Sequence, residues 1–171
     1  MTPSSPQEVV VLLPLAVSLA TILSTIAIHG LALVAIAHFV RREVRLGRAG
    51  AQFGRDLAIV AGATLLALIA HLVEITIWAL VYYACGEAKI FGGAFYHSAE
   101  NYTTLGYGDV VMSDSWKLLG PLEAANGMLM FGVSTATIFA IVNILVQTHF
   151  RHLDMDLATR SSQPPTKGWT D

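Results

Sequence analysis

Three stretches of this chain carry almost no charge: Val9 to Val40, Leu57 to Cys85, broken only by His71 and Glu74, and Leu118 to Phe150, where Glu123 is the one full charge. A bilayer core of about 30 Å needs roughly 20 apolar residues of helix, and few other environments tolerate such runs. The first run is too long for one upright helix, so that helix is expected to begin near Pro14 and tilt, or to pass the interface. A hydrophobic fraction of 54% against 13% charged and a mean hydropathy of +0.60 agree with an all-α membrane protein of three transmembrane helices. A net charge of −2 offers no stripe of cations for a nucleic-acid partner. Cys85 stands alone and closes no disulfide within the chain.

Orientation follows from lysine and arginine. Arg41, Arg42, Arg45, Arg48 and Arg55 lie between the first two spans, and Arg151, Arg160 and Lys167 follow the third; only Lys89 and Lys117 lie between spans two and three. By the positive-inside rule the N-terminus and residues 86–117 face outward, and the arginine loop and tail are cytoplasmic. Tyr82, Tyr83 and Trp116 then fall at the outer interface, where amphipathic rings gather. The first run lacks the basic flank and short apolar core of a signal peptide, so it is read as a retained helix. The arginines lie in a polar, glycine-containing connector, as topology determinants and headgroup contacts rather than a voltage sensor.

The segment between spans two and three, FGGAFYHSAENYTTLGYGDVVMSDSW, is too long for a turn and too polar to span. Phe95 to Thr104 suffices for about three helical turns. Irregular backbone after it is tolerated at membrane depth only where protein buries it or it lines a watery path. Gly106 and Gly108 alternate with larger residues and admit positive φ, so successive carbonyls can turn toward one axis and replace the water of a bare cation.

TTLGYGD at 103–109 resembles the selectivity filter of the potassium-channel family. The resemblance covers roughly residues 57–150. It implies an outer helix at 57–85, a re-entrant pore helix and filter at 94–109, and an inner helix at 117–150. It places K+ on the carbonyls of Thr104, Leu105, Gly106 and Tyr107, with the Thr104 hydroxyl at the inner end and Gly108 completing the filter. Many members have valine at Leu105, which contributes only its carbonyl. Glu100 and Asp109 match positions that in some members pair behind the filter, where two close acids share a proton. Tyr96 and His97 replace frequent tryptophans of the bracing cuff, and His97 is either a titratable brace or a hydrogen-bonding group near the outer mouth.

In the third span Gly127 and Gly132 stand five apart, and the first resembles the family's gating hinge; close packing against the pore helix is the other reason for a glycine there. Phe131, Thr135 and Ile138 follow helical spacing and are expected to line a cavity, with an apolar constriction between Ile141 and Val146. Glu123 lies one turn before Gly127, near the pore helix.

Residues 1–40 form a helix additional to the family's two-span pore domain, joined to it by the cytoplasmic loop 41–56. His29, His71 and Glu74 fall mid-span, and costly intramembrane groups of this kind find partners, so the three are expected to meet as a static contact or a pH sensor. Residues 151–171 read as a fraying helix end and polar tail. One pore loop per chain implies a homotetramer in the lipid bilayer. The expected function is passive, potassium-selective conduction with K+ as the permeant ion, no organic cofactor, no nucleic acid and no small-molecule substrate. A non-conducting accessory subunit that keeps the fold is the alternative, and the spacings suggest neither a set of nucleophile, base and orienting acid nor a metal-ligand cluster, so no enzyme is expected.

Overall fold

A computed structural model describes residues 11–50 and 52–161. It holds four helices: α1 (Leu12–Arg45), α2 (Phe53–Ala84), α3 (Phe91–Tyr102) and α4 (Leu119–Ser161). Three of them, over Leu12–Arg45, Phe53–Ala84 and Leu119–Met155, are long and apolar enough to cross a membrane. The short α3 packs between α2 and α4, and α1 packs on α2 and α4.

Pro14 sits in the first turn of α1, where an N–H would lack a helical acceptor, so the helix starts two residues ahead of it. At the other end α1 carries Arg41, Arg42 and Arg45. The expected connector is therefore shorter than 41–56, because cations are favourable in a helix's last turn. Likewise α4 continues past Phe150 to Ser161. The N-terminal segment before Val11 and the tail after Ser161, with Lys167, lie outside the described residues.

The buried face of α1 is polar from Ser18 to His29 and apolar at Ile36 and Val40. Ser18, Thr21, Thr25 and His29 recur every three or four residues and turn inward, while Leu19, Leu23 and Ile26 are exposed. This is the arrangement of a helix in lipid, where polar side chains serve as interhelical contacts. On α2 the buried stripe changes along its length: Ile59, Ala63 and Ala67 pack with Ile36 and Val40 of α1 and with Ile141 and Leu145 of α4. Further along, Ile75, Trp78, Ala79 and Tyr82 pack with Ala94 and Tyr102 of α3 and with Leu119 and Met130 of α4. Ile141 and Leu145 are thus in the core rather than at a constriction; Val142, Ile144 and Val146 stay exposed.

Candidate functional site: the turn after α3

Three helices here end in the same way. The N–H two residues past the cap bonds back to the third-last helical carbonyl: Arg48 to Glu43 O at 3.1 Å after α1, Glu87 to Tyr82 O at 3.1 Å after α2, and Leu105 to Glu100 O at 2.9 Å after α3. The motif needs a left-handed residue just past the cap. Gly47 (φ 64°) and Gly86 (φ 77°) fill that place after α1 and α2, but after α3 it is Thr104, with φ 60°. A β-branched residue is a genuine outlier there, and left-handed geometry costs an L-residue roughly 1–2 kcal/mol. Glycine would relieve the strain, and strain of this kind gathers at functional positions.

The alternation continues, with Gly106 at φ 55° and Gly108 at φ 76° while Leu105 and Tyr107 keep negative φ. Residues 103–111 are all exposed, and Tyr107 is 71% accessible. The C-terminal end of α3 leads into this turn, so the partial negative charge of that helix end lies beside it.

Behind the turn the structure interposes a hydroxyl between the two acids. Tyr96 Oη lies 3.0 Å from Glu100 Oε1 and 3.2 Å from Asp109 Oδ2. With two carboxylates to receive its proton, foremost Glu100, the Tyr96 hydroxyl is pushed up to about 12 and stays a donor. His97 faces inward: its Nε2 lies 3.0 Å from Asn101 Nδ2, and its ring meets Tyr82 edge-on with centroids 4.9 Å apart. Burial holds its imidazole below the ordinary range, against the opposing pull of Glu100, Asp109 and Glu87.

Two buried networks fix α3 in place. Ser98 Oγ lies 2.6 Å from Glu123 Oε1 and 2.8 Å from the carbonyl of Ile75, and the Tyr82 hydroxyl donates to the other oxygen of Glu123. Tyr82, expected at the outer interface, is instead wholly buried, because its hydroxyl finds this carboxylate. Only Tyr83 of that pair is exposed. The i, i+4, i+8 register of Glu74, Trp78 and Tyr82 is the sequence signal for an inward face of Tyr82.

The second network gathers His29, His71 and Glu74, all buried. His29 Nδ1 is 2.9 Å from Glu74 Oε1, and His71 Nδ1 is 3.5 Å from Glu74 Oε2. Two residues join them: the Tyr102 hydroxyl, absent from the sequence reading, which donates to Glu74 and lies 3.1 Å from His71 Nδ1, and Ser134 Oγ, expected from its helical spacing to face neighbouring helices, which lies 3.0 Å from His71 Nε2 and 3.3 Å from His29 Nε2.

On α4, Gly127 meets the backbone of α3: a Cβ there would lie 2.0 Å from the Tyr102 carbonyl oxygen. A Cβ at Gly132 would meet nothing within 4 Å beyond its own stretch of helix. Phe131 turns its ring toward His71 and Tyr102, with centroids at 4.4 and 5.6 Å. Thr135 is exposed and its hydroxyl returns to the Phe131 carbonyl at 2.9 Å, and Ile138 is half-buried.

Residues 70–143 match the model of a protein family described as Ion channel. The match begins beside His71 on α2 and ends on α4, so it encloses α3 and the turn. No curated protein and no solved structure matches the chain.

Proposed function

From an ion channel domain across residues 70–143, we propose that this chain is one subunit of a potassium-selective channel, and that four identical copies surround one pore. The observation that carries this reading is the alternation of positive φ at Thr104, Gly106 and Gly108. Inverting the backbone at every second residue turns consecutive carbonyls to one side. The carbonyls of Thr104, Leu105, Gly106 and Tyr107, repeated in four subunits, then form rings that replace the hydration shell of a bare K+. The strained Thr104 adds its hydroxyl at the inner end, which explains a threonine where glycine would fold more easily.

The other elements take roles consistent with this. α3 is a re-entrant pore helix that aims its negative end at the ion path. Asp109 at the outer end of the filter is tethered to α3 through the Tyr96 hydroxyl and Glu100. Thr135 and Ile138 line the cavity below, and the exposed Val142, Ile144 and Val146 are suited to an apolar constriction. The distribution of arginine puts the N-terminus outside and the C-terminus in the cytoplasm. Conduction is passive and involves no bond making.

Reconstitution into liposomes tests the proposal. Potassium flux that sodium does not support, abolished by Gly106→Ala, is the expected outcome. An intact tetramer that passes no potassium at any pH or voltage would instead make the chain an accessory subunit that keeps the fold.

A further inference from the structure

The cluster around Glu74 is one proton short. Five contacts within hydrogen-bonding distance link its members: His29 Nδ1 to Glu74, Tyr102 Oη to Glu74, His71 Nδ1 to Tyr102 Oη, and both Nε2 atoms to Ser134 Oγ. Two neutral imidazoles, one hydroxyl, one phenol and one carboxylate supply four protons. Whichever tautomers are chosen, one pair of lone pairs is left facing each other in a buried site. Such a pair is costly where no water can intervene. The cluster therefore calls for one added cation.

We propose that this cation is a divalent transition metal of the zinc class, held by His29 Nδ1, His71 Nδ1, a Glu74 carboxylate oxygen and the Tyr102 phenolate. The donors are the nitrogen and oxygen types zinc takes. Bonds of about 2.0–2.1 Å in a tetrahedron set neighbouring ligand atoms roughly 3.3 Å apart. His71 Nδ1 stands 3.1 Å from Tyr102 Oη and 3.5 Å from Glu74 Oε2, and His29 Nδ1 stands 2.9 Å from Glu74 Oε1, near that spacing; the Tyr102 and Glu74 oxygens are closer and must part as the metal replaces the proton between them.

The far sides of the rings fit as well. A metal on both Nδ1 atoms leaves an N–H on each Nε2, and both point at Ser134 Oγ, which has two lone pairs to receive them. That frees the Ser134 proton for a backbone carbonyl one turn back, the usual habit of a helical serine. Binding displaces the Tyr102 phenolic proton to solvent, and one divalent cation with one carboxylate and one phenolate is neutral, as a buried site demands.

The site joins four helices. His29 comes from α1, His71 and Glu74 from α2, Tyr102 from the last turn of α3, and Ser134 from α4. Tyr102 lies two residues before the strained Thr104, so the metal would lock the additional helix to the foot of the filter. The proposal stands whichever ion the pore passes.

The test uses the purified full-length chain in detergent, stripped with chelator and titrated with Zn2+ alone and with Co2+ alone. One metal per chain is expected, with the intense visible bands of four-coordinate cobalt, higher affinity as pH rises, and a raised thermal midpoint. Glu74→Gln should abolish the cobalt spectrum. Ser134→Ala, which removes no ligand, should weaken binding about 10–100-fold, and Ser134→Thr should restore it. No bound metal in the wild-type chain, a six-coordinate cobalt spectrum, or binding indifferent to both Glu74→Gln and Ser134→Ala would overturn the proposal. In the first case a proton shared by the two histidines completes the cluster instead.

Discussion

Gly127→Ala is expected to damage this protein by collision rather than by stiffening α4. An alanine Cβ would lie 2.0 Å from the Tyr102 carbonyl oxygen, 2.9 Å from its carbon and 3.2 Å from its Cα. A comfortable carbon-to-oxygen approach is roughly 3.3 Å. The helices α3 and α4 must then part by about 1.3 Å where both are backbone, and no side chain can swing away. Overpacking of this kind costs on the order of 1–3 kcal/mol. The displaced residue is Tyr102, which holds Glu74 and precedes the turn at 103–109, so the shift reaches Thr104 directly. Gly132→Ala is the control: a Cβ there would meet nothing within 4 Å beyond its own stretch of helix, and alanine improves an α-helix by roughly 1 kcal/mol over glycine. The assay is thermal melting of both variants in detergent beside potassium flux in liposomes. A lowered melting point and lost flux for Gly127→Ala, with Gly132→Ala at least as stable as wild type, is expected. A Gly127→Ala protein that melts normally but no longer conducts would refute the packing argument and assign the glycine to bending.

Three further outcomes follow from the same geometry. Tyr82→Phe removes one of the donors to the buried Glu123 carboxylate, so it should lower stability by about 1–3 kcal/mol; an unchanged denaturation curve would deny that bond any role. Tyr96→Phe unties Asp109 from Glu100, and the ratio of potassium to sodium flux should fall while the melting point, set by the buried networks, barely moves. Because burial holds His97 below its ordinary range, protonation favours conformations that solvate it. The fold is at full strength above a pH of about 6.5, and the His97 contribution is lost as pH falls from there through the folded value. His97→Phe should flatten that acid limb in melting experiments, and equal slopes for both proteins would count against the assignment.

The membrane class, the three spans and the special turn at 103–109 were legible in the residues. Charge-free runs admit few other environments, and two glycines alternating in a polar segment between spans ask for a backbone that ordinary residues avoid. His29, His71 and Glu74 were legible as a group because ionisable residues in mid-span need partners. Which way the helices turn was another matter. In water a helix shows its buried side as an apolar stripe, but in lipid the outer face is as apolar as the inner one. Hydropathy alone could not say that Tyr82 points inward, that Ile141 and Leu145 pack on α2, or that Phe131 turns toward His71. Nor could local spacing show that Tyr96 stands between Glu100 and Asp109, or that Ser134 meets both histidines, since these contacts join residues that only folding brings together. The sequence by itself determined what solvent the chain belongs in and where its backbone must bend. The rotation and close approach of the helices, set by small residues such as Gly127 and by buried hydroxyls seeking carboxylates, decided which side chains became neighbours.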